Sequence, residues 1–140
     1  MSYKIKSLTI RTNSTKEGID SIYEIWKDIE SEKIPMMLCD NFNMISKYHN
    51  YDNDGYYDMT IISLDYKLFE SDIESKSNFK KYEAQGENIA EAINNAWNKV
   101  HEDADKGLLK RSFIEDYECS FYSNQINKDK DYCRLYISVL

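Results

Sequence analysis

The sequence predicts an α+β fold: two βαββ halves in a pseudo-twofold arrangement, forming one six-stranded antiparallel sheet with two helices on one face. Three observations lead there. Short segments such as "YKIKSLTIRT" and "YCRLYISVL" alternate apolar and polar residues with the period of a strand. Two longer segments repeat apolar residues every three or four positions, as amphipathic helices do. The order strand, helix, strand, strand occurs twice, and 140 residues suit one domain over 1–140, with halves at about 1–70 and 77–140.

In the first half, Tyr3, Ile5, Leu8 and Ile10 mark the opening strand. Ser14 and Glu17 have the spacing of a capping box, which starts a helix over about 14–33. Ile19, Ile22, Trp26 and Ile29 form its apolar stripe, and Pro35 disfavours helix at Ile34. "FNMISKYHNY" and "YYDMTIISLDYKL" read as a hairpin about the turn "DNDG". The polar stretch "ESDIESKSN" reads as a joining loop.

In the second half, "FKKYEAQ" is a strand that stops at Gly86. Asn88 caps a helix over about 88–106, with Ile89, Ile93, Trp97, Val100 and Ala104 buried and Gly107 at its stop. "EDYECSFYS" and "YCRLYISVL" are the last two strands, joined by the polar "NQINKDKD". Burial of both tryptophans, Trp26 and Trp97, is expected from these stripes.

Composition narrows the function classes. A net charge of -7, from 25 acidic and 18 basic residues, argues against direct nucleic-acid binding, which needs a basic face. The amino-terminal stretch lacks the apolar core of a signal peptide, and no apolar run is long enough to span a membrane. A cytoplasmic location is the expectation. Cys39, Cys119 and Cys133 are three in number without a CxxC pair, so reduced thiols are expected, and no metal or cofactor is indicated. His49 and His101 have no accompanying ligand set and read as structural or exposed. Twelve tyrosines suit wet pockets and interfaces, and equally suit an AT-rich coding sequence.

The segment "RSFIEDYECSFYS" sets Glu115, Asp116 and Glu118 among aromatic residues. Strand alternation puts Tyr117, Cys119 and Phe121 on one face and Glu118, Ser120 and Tyr122 on the other. If the more apolar sets of the last two strands, including Cys119 and Cys133, face the helices, then Glu118 shares the open face with Tyr122, Tyr136 and Arg134. Glu118 then either pairs with Arg134 across the hairpin or forms the charged floor of an aromatic pocket.

"KKYEAQGENIAEAINNAW", "GLLKRSFIEDYECSF" and the terminal "RLYISVL" resemble the GyrI-like effector-binding family, which includes the ligand domains of AraC- and MerR-type multidrug regulators and stand-alone relatives. The resemblance rests on Tyr82, Glu83 and Gly86, on Trp97, on Asp116, Tyr117 and Glu118, and on "LYIS", where Ser138 replaces the usual proline. "YDNDGYYDMTIISL" resembles the family's turn and aromatic strand, with Ile62 in place of a glycine; on the second helix, His101 stands in place of an aromatic residue.

The resemblance implies a binding pocket for a hydrophobic or cationic small molecule, with Glu118 as its buried anion. Trp97 is expected either to line that pocket or to pack the helix on the sheet. Tyr57, Tyr136, Tyr122 and Met59 are further candidates; Met36, Met37 and Met44 would supply an adaptable wall or core packing. The implied partners are the ligand and a separate transcription regulator, with the chain a monomer or homodimer. Two other functions go with the resemblance: hydrolysis of electrophilic xenobiotics, in which Glu118 would be the catalytic base, and inhibition of DNA gyrase.

Overall fold

The computed structural model describes residues 4–30 and 42–140, apart from the side chains of residues 4–7, 29, 30, 42, 43 and 125. Strand β1 is Lys4–Asn13, helix α1 Lys16–Glu30, β2 Phe42–His49 and β3 Tyr56–Asp65. Helix α2, Tyr66–Glu74, leads to β4, Phe79–Gly86, helix α3, Ile89–Asp105, β5, Arg111–Phe121, and β6, Asp131–Val139. The six strands form one antiparallel sheet in the order β1-β3-β2-β5-β6-β4. The chain divides into two compact units, Met1–Ser71 and Asp72–Leu140. Met36, Met37 and Cys39 lie outside the described residues.

In the first unit, β3 pairs with both β1 and β2, with Met59 opposite Ile10 and Tyr48. Ile22 of α1 packs with Met59 and Ile61, and Ile10, Ile19, Ile25, Trp26, Met44 and Tyr48 close the cluster. The turn predicted at "DNDG" forms: Gly55 takes φ +87°, and the Asp52 carboxylate accepts the N–H groups of Asp54 and Tyr56 at 2.9 and 3.0 Å. The α1 cap differs from expectation. Thr15, not Ser14, accepts the Gly18 N–H at 3.3 Å, while Ser14 Oγ donates to Tyr57 Oη at 3.4 Å. The two hydroxyls are adjacent in sequence and lie within two residues of the start of α1, so spacing alone did not separate them.

The joining segment is helical as far as Glu74 rather than a loop throughout, and the helix also shortens β3 to end at Asp65. Asp65 Oδ1 accepts the Leu68 N–H at 3.2 Å, as an N-terminal cap does. Phe69 and Ile73, four residues apart, are both 1% exposed. Only these two residues of α2 are buried, a periodic signal too weak to stand out beside a polar stretch.

In the second unit, Ala92, Ala96 and Val100 of α3 pack on Tyr82 and Ala84 of β4 and on Cys133, Leu135 and Ile137 of β6. Asn88 caps α3 as expected, accepting the Glu91 N–H at 2.8 Å, and Gly107 ends it with φ +73°. Gly86 allows the close approach of α3 to β4: a Cβ there would lie 2.4 Å from the Ala92 nitrogen. Trp26 and Trp97 are only partly buried, contrary to expectation; in α3, Ala92 and Ala96 rather than the Trp97 indole take the innermost line.

Replacing Gly86 with Ala should destabilise the second unit by about 1–3 kcal/mol, the scale of a core overpacking strain, as read by denaturant unfolding; an unchanged midpoint would contradict the close packing. Tyr82 Oη donates to Asp103 Oδ2 at 2.8 Å, and Lys80 Nζ lies 3.3 Å from the same oxygen. The Tyr82 hydrogen bond foremost, with Lys80 adding, holds the Asp103 carboxyl below its ordinary 3.8. A lowered folded-state value gives stability that is present above the ordinary value and lost as pH falls through the folded one. Tyr82→Phe should raise the Asp103 pKa in a carboxyl NMR titration and reduce the loss of stability in acid; an unmoved titration would contradict this.

Candidate functional site

The register of the last hairpin decides which side chains Glu118 meets. Glu118 stands opposite Leu135, Ser120 opposite Cys133 and Asp116 opposite Ile137. Cross-strand partners share a face. Glu118 therefore lies on the face covered by α3, together with Asp116 and Ser120. Tyr117, Cys119 and Phe121 lie on the opposite face with Tyr136, Arg134 and Tyr132. This reverses the face expected from alternation. It also puts Cys119 and Cys133 on opposite faces; both are buried free thiols. The reversal has a physical reason: both faces of this strand pair are buried, with Tyr117 at 8%, Cys119 at 0% and Tyr136 at 2% exposure. Apolarity then no longer marks the helix side.

Trp97 on α3 and Glu118 on β5 are brought together. The indole Nε1–H donates to Glu118 Oε1 at 2.7 Å, and Glu118 is 7% exposed. An indole N–H is a neutral donor, so it satisfies a lone pair of the carboxylate without cancelling its charge. The same charge reaches Cys133, whose thiol is pushed up first by burial and then by Glu118.

Asp116, fully buried, is held by its own partners. The Arg111 guanidinium donates to Oδ2 at 2.6 Å, and the Ser138 backbone N–H to Oδ1 at 3.1 Å. Arg111 also sits 5.8 Å from the Trp97 ring centre and 4.3 Å from that of Phe113. These contacts arise from a break in the β5–β6 register between Arg111 and Asp116, where Phe113 takes φ +56°. Sequence reading missed Arg111. The signal available was its place at the strand's start, five residues before Asp116, in a segment with one basic residue among aromatics and acids.

Arg134, the alternative partner for Glu118, pairs elsewhere. Arg134 lies on the opposite face, and its Nε donates to Glu83 Oε1 at 3.0 Å. Tyr132 joins this group; burial and then its hydrogen bond to Glu83 push its phenol up to about 12.

The remaining candidates are not gathered about Glu118 within the second unit. Tyr136 is buried on the other face, and Tyr122 is 53% exposed just beyond the end of β5. Tyr57 and Met59 belong to the first unit. There Tyr57 contacts Tyr48 and Tyr51 with ring centres 5.5 and 5.6 Å apart, and Met59 fills the core under α1. His101 lies beside Trp97, with ring centres 6.0 Å apart, and His49 Nε2 is 2.8 Å from Thr60 Oγ1. No group of three or more metal-ligating side chains occurs among the described residues, and no described helix is long and apolar enough to cross a membrane.

No protein-family model matches the chain, and no curated protein sequence does. Solved structures do. A Vibrio cholerae integron cassette protein, VCH_CASS2, superposes with a TM-score of 0.62 at 18% identity, over 98% of this chain and 93% of that one. SAV2435 bound to tetraphenylphosphonium superposes with a TM-score of 0.62 at 15% identity, over 100% of this chain and 94% of that one. These likenesses establish the shared fold.

Trp97→Phe keeps an aromatic side chain, though a smaller one, and removes the donor to a buried carboxylate. It should cost about 1–3 kcal/mol of stability, the scale of an unsatisfied buried group, and less when Glu118 is also Gln. Equal costs in the two backgrounds in chemical denaturation would show that the indole donor does not stabilise the carboxylate charge.

Proposed function

We propose that the chain binds a lipophilic, cationic small molecule in its second unit, with Glu118 as the charge partner and Trp97 as the aromatic wall. The observation that carries this reading is the 2.7 Å bond from the Trp97 indole to a buried Glu118 carboxylate. Removing a carboxylate from water opposes its charge, and a cation that enters beside it restores the lost stabilisation. An indole face adds attraction of about 0.5–2 kcal/mol for such a cation. A cation with a diffuse charge and apolar groups loses little hydration on entering, so it suits this setting better than a small, strongly hydrated ion.

Two further considerations support the reading. One protein of the same fold was solved with tetraphenylphosphonium, itself a lipophilic cation. The sequence also resembles the GyrI-like effector-binding family at Tyr82, Glu83, Gly86, Trp97 and Glu118. On that basis the chain serves as an effector-binding or xenobiotic-sequestering module related to transcription regulators, acting through a separate regulator.

Glu118→Gln keeps the side-chain shape and its acceptor for Trp97 while removing the charge. Calorimetry with tetraphenylphosphonium should show binding weakened by about 1–3 kcal/mol, the scale of losing a charged partner. Equal affinity for the wild type and the variant would refute the role of Glu118.

A further inference from the structure

Resting on the reading above, we propose that Arg111 is a built-in competitor for the cationic ligand: its guanidinium occupies the aromatic position beside Trp97 and must move for a ligand to bind. The guanidinium is itself a planar, weakly hydrated cation, the kind of group an indole face accepts. It lies 5.8 Å from the Trp97 ring centre and 4.3 Å from that of Phe113. Its side chain is 12% exposed and is anchored by the fully buried Asp116 at 2.6 Å.

The ring used by Arg111 is the one that donates to Glu118. A ligand cation at Glu118 that also uses the Trp97 face therefore meets a like charge already in place. Like charges at close range oppose each other, more strongly where water is excluded. The backbone around Arg111 is suited to give way. Between Arg111 and Asp116 the β5–β6 register breaks, and Phe113 and Ile114 on this segment are 50% and 66% exposed. Displacing the guanidinium would thus disturb an irregular segment rather than a regular ladder. Arg111 would set selectivity, since only a cation that gains more from Trp97 and Glu118 than the guanidinium does can replace it.

The decisive variant is Arg111→Gln with Asp116→Asn. It leaves the net charge unchanged, keeps an acceptor for the Ser138 N–H, and avoids an unpaired buried carboxylate. Calorimetry with tetraphenylphosphonium should show binding about two- to thirtyfold tighter than wild type, the range set by one cation–aromatic contact. If the double variant is not folded at the assay temperature, Arg111→Lys replaces it. That change keeps the ion pair and loses the planar stacking cation, and it should tighten binding in the same direction. Unchanged or weaker binding by the folded variant, with wild type binding normally, would overturn the competitor role and leave that of Glu118 standing. Absence of binding by every protein would overturn both.

Discussion

The second unit is built around a burial that ordinarily opposes folding: β5 directs two carboxylates, Asp116 and Glu118, beneath α3. A buried carboxylate is tolerated only where donors replace its water. Asp116 meets this with a guanidinium and a backbone N–H, and Glu118 meets the indole N–H of Trp97. These partners come from three places: the start of β5, the end of β6 and the middle of α3. Satisfying the charges therefore ties helix to hairpin. The difference between the two acids is one of charge balance. Asp116 is held by a cation, Arg111, whereas the donor that Trp97 offers Glu118 is neutral.

The first unit shows what the same framework looks like without this feature. Ser46 of β2 stands opposite Ile61, which stands opposite Leu8. Glu118 of β5 stands opposite Leu135, which stands opposite Tyr82. Ser46, whose partner Ile61 packs under α1, is 1% exposed on the helix-facing side of β2. The two units share element order and strand pairing, and the buried polar side chain on this face of β2 is a small neutral hydroxyl. Element order follows from backbone pairing and helix packing; the acid is an addition that this packing does not require.

The sequence made the strand and helix order, the Asn88 cap, the Gly107 stop and the Asp52–Gly55 turn legible, because each depends on local chemistry. Helix α2 was hidden because only Phe69 and Ile73 signal it, and tertiary burial completes what periodicity barely shows. Alternation found that Glu118 and Ser120 share a face, but which face depended on hairpin register. With both faces buried, composition ranked the aromatic set as the core side and was overruled. Glu118 and Trp97 were each legible as candidate site residues, whereas their direct hydrogen bond was not. Arg111 was invisible to the same reasoning because its role comes from an irregular strand segment that folds it back on Trp97.

In the proposed role, Glu118 and Trp97 together receive a lipophilic cation. The most direct measurement follows the two indole N–H resonances of uniformly ¹⁵N-labelled protein during titration with tetraphenylphosphonium, assigned with Trp97→Phe. The account requires the Trp97 resonance to move saturably in the wild type and to need much higher ligand concentrations in Glu118→Gln. A Trp97 resonance that stays fixed at saturating ligand, or that moves identically in both proteins, would contradict it.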